Sequence, residues 1–350
     1  MTSTGRTPGS VSVVCVGAGW ATAERHLPAL VRDPRVNVLG VVDTHLDRAR
    51  ALATRYRLEH AGTSLGEPWT RTATAVTVGA PPWTHGDLVE EAIGNGWHCL
   101  CEKPFVLPSS RGAELARRAA TADLVLAVVH NFQFSRAGSR LFAAVDAGRL
   151  GEIESVYGFQ LSSPDRRLPH WHASLAGGLF LDETAHLLYL IRRVLGALEP
   201  RAVDSRLRER EIRDLTATFE HETVWATLSL NFNASISEWQ FVVAGSRAVA
   251  AFDLFRDILV LVPNDRGHGA RDVLRSSGAL LGGHAAGFVA SGLRMARGRL
   301  SYGNDEVVAR FLDAVSGDRS RIAGMSADDG CAIVACLESL VARAGLEPEA

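Results

Sequence analysis

Between residues 11 and 129, short β-branched runs alternate with helix-patterned segments of 10 to 15 residues, and few folds accommodate that rhythm. The run Val11-Ser-Val-Val-Cys-Val16 meets Gly17-Ala-Gly19 and then a segment, 21–32, with Leu27, Leu30 and Val31 on one side. Strand-type runs follow at 36–42 (ending at Asp43), 75–78, 98–101 and 124–129, separated by helix-type segments at 46–56, 86–95 and 110–121. Parallel strands need a crossover of a dozen or more residues, and strands buried on both faces read as continuous apolar runs. Right-handed crossovers then predict a doubly wound α/β Rossmann domain over residues 1–128.

After a helix at 137–147 the rhythm changes. Strand patterns at 153–161, 202–208, 215–220, 224–231, 239–243, 248–253 and 258–262 follow one another with short turns. Helices are expected only at 180–195, 305–315 and 327–344. Successive strands without intervening helices imply an α+β domain with an open, mostly antiparallel sheet, here assigned to residues 129–350. The segment 266–300, rich in Gly, Arg and Ala, reads as a mobile loop.

Composition narrows the function classes. A hydrophobic fraction of 47% with 22% charged residues is that of a globular chain, and 350 residues suit two domains. A net charge of -2 argues against nucleic acid or anionic lipid as partner. The polar start MTSTGRTPGS has no charged-then-apolar design and no 18-residue apolar run follows, so a cytoplasmic protein is expected. Five cysteines, an odd number, suit buried thiols in a reducing compartment. Cys99-x-Cys101 has no second pair at matching spacing, so strand packing is expected and no metal.

Gly17-Ala-Gly19 after the first strand suits a dinucleotide. The first glycine permits the tight turn, the second lets the backbone approach the pyrophosphate, and the helix start supplies N–H donors. Thr22 stands where the fingerprint has its third glycine. Asp43, ending the second strand, is placed to accept the adenosine ribose hydroxyls and to repel a 2′-phosphate, which favours NAD over NADP; otherwise it caps the next helix. Lys103 is the single lysine among 37 Lys+Arg, and it follows a strand end, where ligands of doubly wound sheets sit. An ammonium can tune its charge on burial, and a guanidinium cannot. Asp182 and His186, four apart on a helix, project from one face and suit acid–base work, although such a pair is also an ordinary surface ion pair.

The stretches "VGAGWATAERHLPAL", "VTVGAPPWTHGDLVEEAIGNGWHCLCEKPF", "VVHNFQFSRAGSRLFAAVDAGRLGEIESV" and "GGLFLDETAHLLYLIRRVLG" resemble, in order, the glucose-fructose oxidoreductase/inositol dehydrogenase (Gfo/Idh/MocA) family, as does the tail "GNDEVVARFLDAVSG". The resemblance implies a Rossmann domain followed by a substrate domain, with a nicotinamide between them. It makes Lys103 the active-site lysine and Asp182 and His186 the Asp-x-x-x-His pair. It assigns the dinucleotide to Gly17, Gly19, Trp20, Ala21, Asp43, Ala80, Pro81, Pro82, His85 and Glu102. Asn131 and Gln133 would contact substrate, and Arg166, Arg167, His170 and Trp171 could line a polar, aromatic pocket. One departure is Glu183-Thr184, where the family more often has a hydrophobic residue and glycine.

The implied activity is NAD-dependent interconversion of a secondary alcohol and a ketone on a sugar, sugar derivative or cyclitol. Which of Lys103 and His186 takes the proton stays open. A non-catalytic NAD(H)-binding sensor and an NAD-dependent glycoside-cleaving enzyme are the alternatives. A homo-oligomer, dimer or tetramer, built through the open face of the second sheet is expected.

Overall fold

Six parallel strands carry the first unit: β1 (Val11–Val16), β2 (Val36–Val42), β3 (His60–Gly62), β4 (Ala75–Val78), β5 (His98–Cys101) and β6 (Leu126–Val128). This is a computed structural model, and it describes residues 10–165, 177–265 and 267–346. The strand order β3-β2-β1-β4-β5-β6 reverses direction at β1, which creates a switch point between β1 and β4. The strands are covered by α1 (Leu27–Leu30), α2 (Leu46–Tyr56), α3 (His85–Gly94) and α4 (Ser109–Thr121). Val14, Val16, Val76, Val78, Cys99, Cys101 and Val128 share one core with Val89 of α3 and Leu115 of α4. Each such side chain contributes roughly 1.5–3 kcal/mol by leaving water. Cys99 and Cys101 are therefore packing residues; burial pushes the Cys99 thiol up to about 12.

Two further helices close the chain, α8 (Asn304–Val315) and α9 (Ala327–Arg343), and residues 304–334 group with the first unit, not the second. A single boundary at 128 had placed them in the second domain. The apolar period of 305–315 identifies a helix but not what its apolar face meets. Arg35 decides it, donating to Asp33 and, at 2.6 Å, to Asp313 of α8. The backbone N–H of Val128 donates to the Met325 carbonyl at 2.8 Å.

The second unit holds α5 (Arg136–Asp146), α6 (Leu179–Leu195) and seven strands: β7 (Ile153–Leu161), β8 (Pro200–Arg208), β9 (Glu211–His221), β10 (Val224–Asn231), β11 (Glu238–Gly245), β12 (Ala248–Asp253) and β13 (Ile258–Pro263). Their order is β13-β12-β11-β7-β10-β9-β8, antiparallel at every step except β7 against β10. β9, β10 and β11 alternate buried and less buried residues, so one face is covered, and α6 packs there against β7, β9 and β10.

Most of the segment 267–300, expected to be a loop, is helical. Ala270–Ala296 is a helix of 27 residues, α7. Its glycines lower helix propensity, which is why the sequence reads as loop, but two of them serve packing. A Cβ on Gly287 would lie 2.7 Å from Ile258, and one on Gly283 3.1 Å from Val260, so their absence lets the helix lie directly on β13. Among the described residues no helix is long and apolar enough to cross a membrane.

Candidate active site

In the first unit the sequence-selected residues collect at the carboxyl ends of β1, β2, β4 and β5. Gly17 has φ +85°, and a Cβ there would lie 2.8 Å from the Gly79 carbonyl oxygen, so two adjacent strand ends meet through glycine alone. At Gly19 an added Cβ would find only the Gly79 oxygen, 3.7 Å away. The space over the turn is open where a pyrophosphate would approach. The fit to a dinucleotide rests on this pairing of a closed first glycine with an open second.

Thr22, the departure from the third glycine, is fully buried. Its hydroxyl would be 2.4 Å from a Cβ on Gly79, so the glycine that permits close approach stands just after β4 instead of on the helix. Thr22–His26 forms a π-helical turn before α1, a distortion often found at functional sites. Trp20 is half exposed beside Ala21, with the Arg25 guanidinium 4.7 Å from its ring centroid.

Asp43 is held by two backbone amides: Ala18 N–H donates to Oδ2 at 2.7 Å and His45 N–H to Oδ1 at 2.8 Å. The first bond ties the end of β2 to the glycine turn. The second holds the turn that leads into α2, whose N-cap is His45 and has no side-chain cap bond.

Ala80, Pro81 and Pro82 follow β4, and His85 lies behind them. It is fully buried, with Nε2 2.9 Å from the Ala80 carbonyl and Nδ1 2.7 Å from that of Phe105. His85 thus staples two loops together from inside rather than facing a ligand. Burial lowers its pKa below the ordinary imidazole value, outweighing the carbonyls of Phe105, Ala80 and Pro104, which favour the cation.

Glu102 and Lys103 follow β5, and the Lys103–Pro104 peptide is cis. Glu102 accepts from His26 Nε2 at 2.9 Å and from the Lys103 amide at 3.1 Å. Burial pushes its carboxyl up, but the His26 hydrogen bond and the charges of His26 and Lys103 outweigh it and the net direction is down. His26 was not singled out from the sequence, since only the tertiary fold brings residues 76 apart together.

In the second unit Asp182 and His186 lie in α6, both buried, with Asp182 in the first turn where a carboxylate suits the helix dipole. His186 Nδ1 is 3.1 Å from Tyr189 Oη, which also accepts from the Phe132 amide at 2.9 Å. Phe132 meets the imidazole edge-on at 4.9 Å and Trp239 lies 5.5 Å from it. Tyr189, three residues beyond His186, was within reach of helical spacing; Trp239 was not. Asn131 and Gln133 are buried, Asn131 donating to the Tyr302 carbonyl and Gln133 to that of His130. Arg166, Arg167, His170 and Trp171 lie outside the described residues.

Residues 11–130 match the model of an oxidoreductase family with an NAD-binding Rossmann fold, and residues 139–251 match the GFO/IDH/MocA C-terminal domain. The chain belongs to the Gfo/Idh/MocA family. Family relatives include inositol 2-dehydrogenase of Rhizobium meliloti, 29% identical over 52% of this chain and 54% of the relative. The dTDP-3,4-didehydro-2,6-dideoxy-alpha-D-glucose 3-reductase of Streptomyces violaceoruber is 28% identical over 57% of this chain and 55% of the relative. The chain spans about half the length of the curated relatives it matches. Among solved structures, GenD2 from gentamicin A biosynthesis, in complex with NAD, superposes with TM-score 0.74 at 23% identity over 96% of this chain and 94% of its own. KijD10, a 3-ketoreductase from Actinomadura kijaniata in complex with NADP, gives 0.72 at 19%, covering 97% and 98%. At these identities the structures establish the family's fold.

Proposed function

We propose that the protein is an NAD-dependent oxidoreductase interconverting a secondary alcohol and a ketone on a sugar, sugar derivative or cyclitol. The observation that carries this reading is the dinucleotide turn with its open second glycine, in the same unit as a lone lysine at the end of β5. The bound nicotinamide would supply the acceptor or donor of hydride. Gly17, Gly19, Trp20 and Ala21 would hold the pyrophosphate, Asp43 the ribose, and Ala80, Pro81 and Pro82 the adjoining loop, with His85 and Glu102 fixing that loop and the lysine. The Asp43 carboxylate favours NAD, because a 2′-phosphate beside it would meet like charge.

Lys103 donates a hydrogen bond to the reacting oxygen and offsets its developing negative charge. His186 takes the hydroxyl proton. With Nδ1–H donating to Tyr189 Oη, Nε2 is left as the acceptor, and Asp182 balances the imidazolium. Asn131 and Gln133 shape the surroundings of Tyr189 and His130, and the segment holding Arg166, Arg167, His170 and Trp171 contributes polar and aromatic contacts to substrate.

We also read the protein as a homo-oligomer. Tyr157, Phe159 and Trp225 stand half exposed on one face of the second sheet. Register places Val260, under α7, on that same face through Ala251 and Val242 to Tyr157. α7 adds Leu274, Leu281, Phe288 and Met295, all exposed at seven-residue spacing.

The test is a screen of sugars, inositols and nucleotide sugars with NAD and NADP, followed at the NADH absorbance, with Lys103→Arg as control. Activity on a polyol with NAD, reduced at least ~100-fold in the variant, is expected. Wild-type rates in Lys103→Arg would overturn the catalytic assignment.

A further inference from the structure

Glu183, beside the Asp182/His186 pair, is buried in a polar network that proton transfer does not require. Its Oε2 accepts from Gln160 Nε2 at 2.7 Å and from Ser162 Oγ at 2.8 Å. Ser162 Oγ also accepts from Gln160 at 2.9 Å and from the Trp239 indole N–H at 3.3 Å. Gln160, Ser162, Glu183 and Trp239 are all buried. Gln160 directs its amide hydrogens at Ser162 and Glu183 and leaves Oε1 without a hydrogen-bond partner. Among the described residues few other buried side chains make that sacrifice.

Burying a carboxylate costs several kcal/mol before its hydrogen bonds are counted, and an apolar residue would pack against β7 without that cost. What the network provides is direction. Trp239 pairs with Gln160 across β11 and β7, so both side chains rise from the sheet face that α6 covers. The Trp239 ring lies next to His186, tilted by 43° at 5.5 Å, and is backed by Phe255 at 4.9 Å. Glu183 and His186, three apart on α6, are neighbours on one helix face.

We propose that Glu183 is a positioning residue for His186: its carboxylate fixes the Ser162 hydroxyl, the hydroxyl fixes the Trp239 indole, and the indole plane holds the imidazole at the angle that presents Nε2. This rests on the reading of His186 as the proton-transferring group. Glu183 touches neither substrate nor cofactor in this role. Its effect depends on an acceptor at that point, not on charge.

The test uses the full-length protein with Glu183→Leu, Glu183→Gln and Ser162→Ala, each alone and with Trp239→Phe. The His186 imidazole is titrated by NMR without cofactor or substrate, its resonance identified by loss in His186→Gln. Glu183→Leu and Ser162→Ala should move the titration midpoint by about half a unit, and Glu183→Gln, which keeps an acceptor oxygen, should leave it near wild type. In Trp239→Phe the added substitutions should change nothing further. On an identified substrate kcat should fall roughly tenfold in Glu183→Leu with KM for NAD unchanged. Equal shifts in Glu183→Gln and Glu183→Leu, or effects that persist in Trp239→Phe, would overturn the proposal. Should Glu183→Leu not fold, Ser162→Ala carries the test with Glu183 intact. Absence of activity on every polyol would count against the dehydrogenase reading and leave the titration result standing.

Discussion

Gly17 and Gly19 look equivalent as letters, yet they face different surroundings and should fail differently. Gly17→Ala forces a Cβ to 2.8 Å from the Gly79 oxygen at φ +85°, so about 1–3 kcal/mol of stability should be lost, read as a lower unfolding temperature. Gly19→Ala has room, so the unfolding temperature should hold while NAD affinity, measured by calorimetry, falls about tenfold or more. His85 makes a pH prediction. Its folded-state pKa is depressed by burial, so the unfolded chain binds the proton first as pH drops. The stability it contributes is complete above the ordinary imidazole value of about 6.5 and is lost as pH falls below it. Urea unfolding at pH 7.5 and 5.5 should show a smaller loss in His85→Gln than in wild type.

At the scale of elements, α7 shows how a glycine's setting decides its effect. Gly287→Val would drive a side chain into Ile258 and should cost ~1–3 kcal/mol, seen as faster amide hydrogen exchange across 270–296 with the strands of the first unit unchanged. Gly278 has nothing within 4 Å of an added Cβ, so Gly278→Ala should stabilise the same helix by about 0.5–1 kcal/mol. The strands of both units were legible because burial on one or two faces writes its period into the sequence. α7 was not, because the cost of its glycines is local and visible, whereas the contact with β13 that offsets it is tertiary. β3, three residues long, carried too little pattern to be found.

For the molecule as a whole, the half-exposed Tyr157, Phe159 and Trp225 and the exposed apolar stripe of α7 are the surface on which the oligomer reading rests. Light scattering should give a dimer or tetramer, and Phe159→Arg with Trp225→Arg should lower the mass; a wild-type monomer would sink the oligomer reading. Of the candidate site, Gly17, Gly19, Asp43, Lys103, Asp182 and His186 could be singled out from the sequence because each is tied to a strand end or a helical interval. His26 and Trp239 were not, since a lone His or Trp carries no such mark, and Tyr189 was marked only by its helical interval from His186.

By itself the sequence determined the alternation of strands and helices in the first unit apart from β3, its parallel sheet, the glycine turn, most strands of the second unit and the helix bearing Asp182 and His186. These follow from short-range periodicity and backbone sterics, which are local properties. Only the tertiary structure decided that residues 304–334 return to the first unit, that Gly79 takes over from the missing third glycine at Thr22, and that His85 lies buried behind its loop. It alone joined Glu183 to Trp239 through Ser162. Those contacts link residues far apart in the chain, where hydrogen bonding and packing select partners that no local pattern encodes.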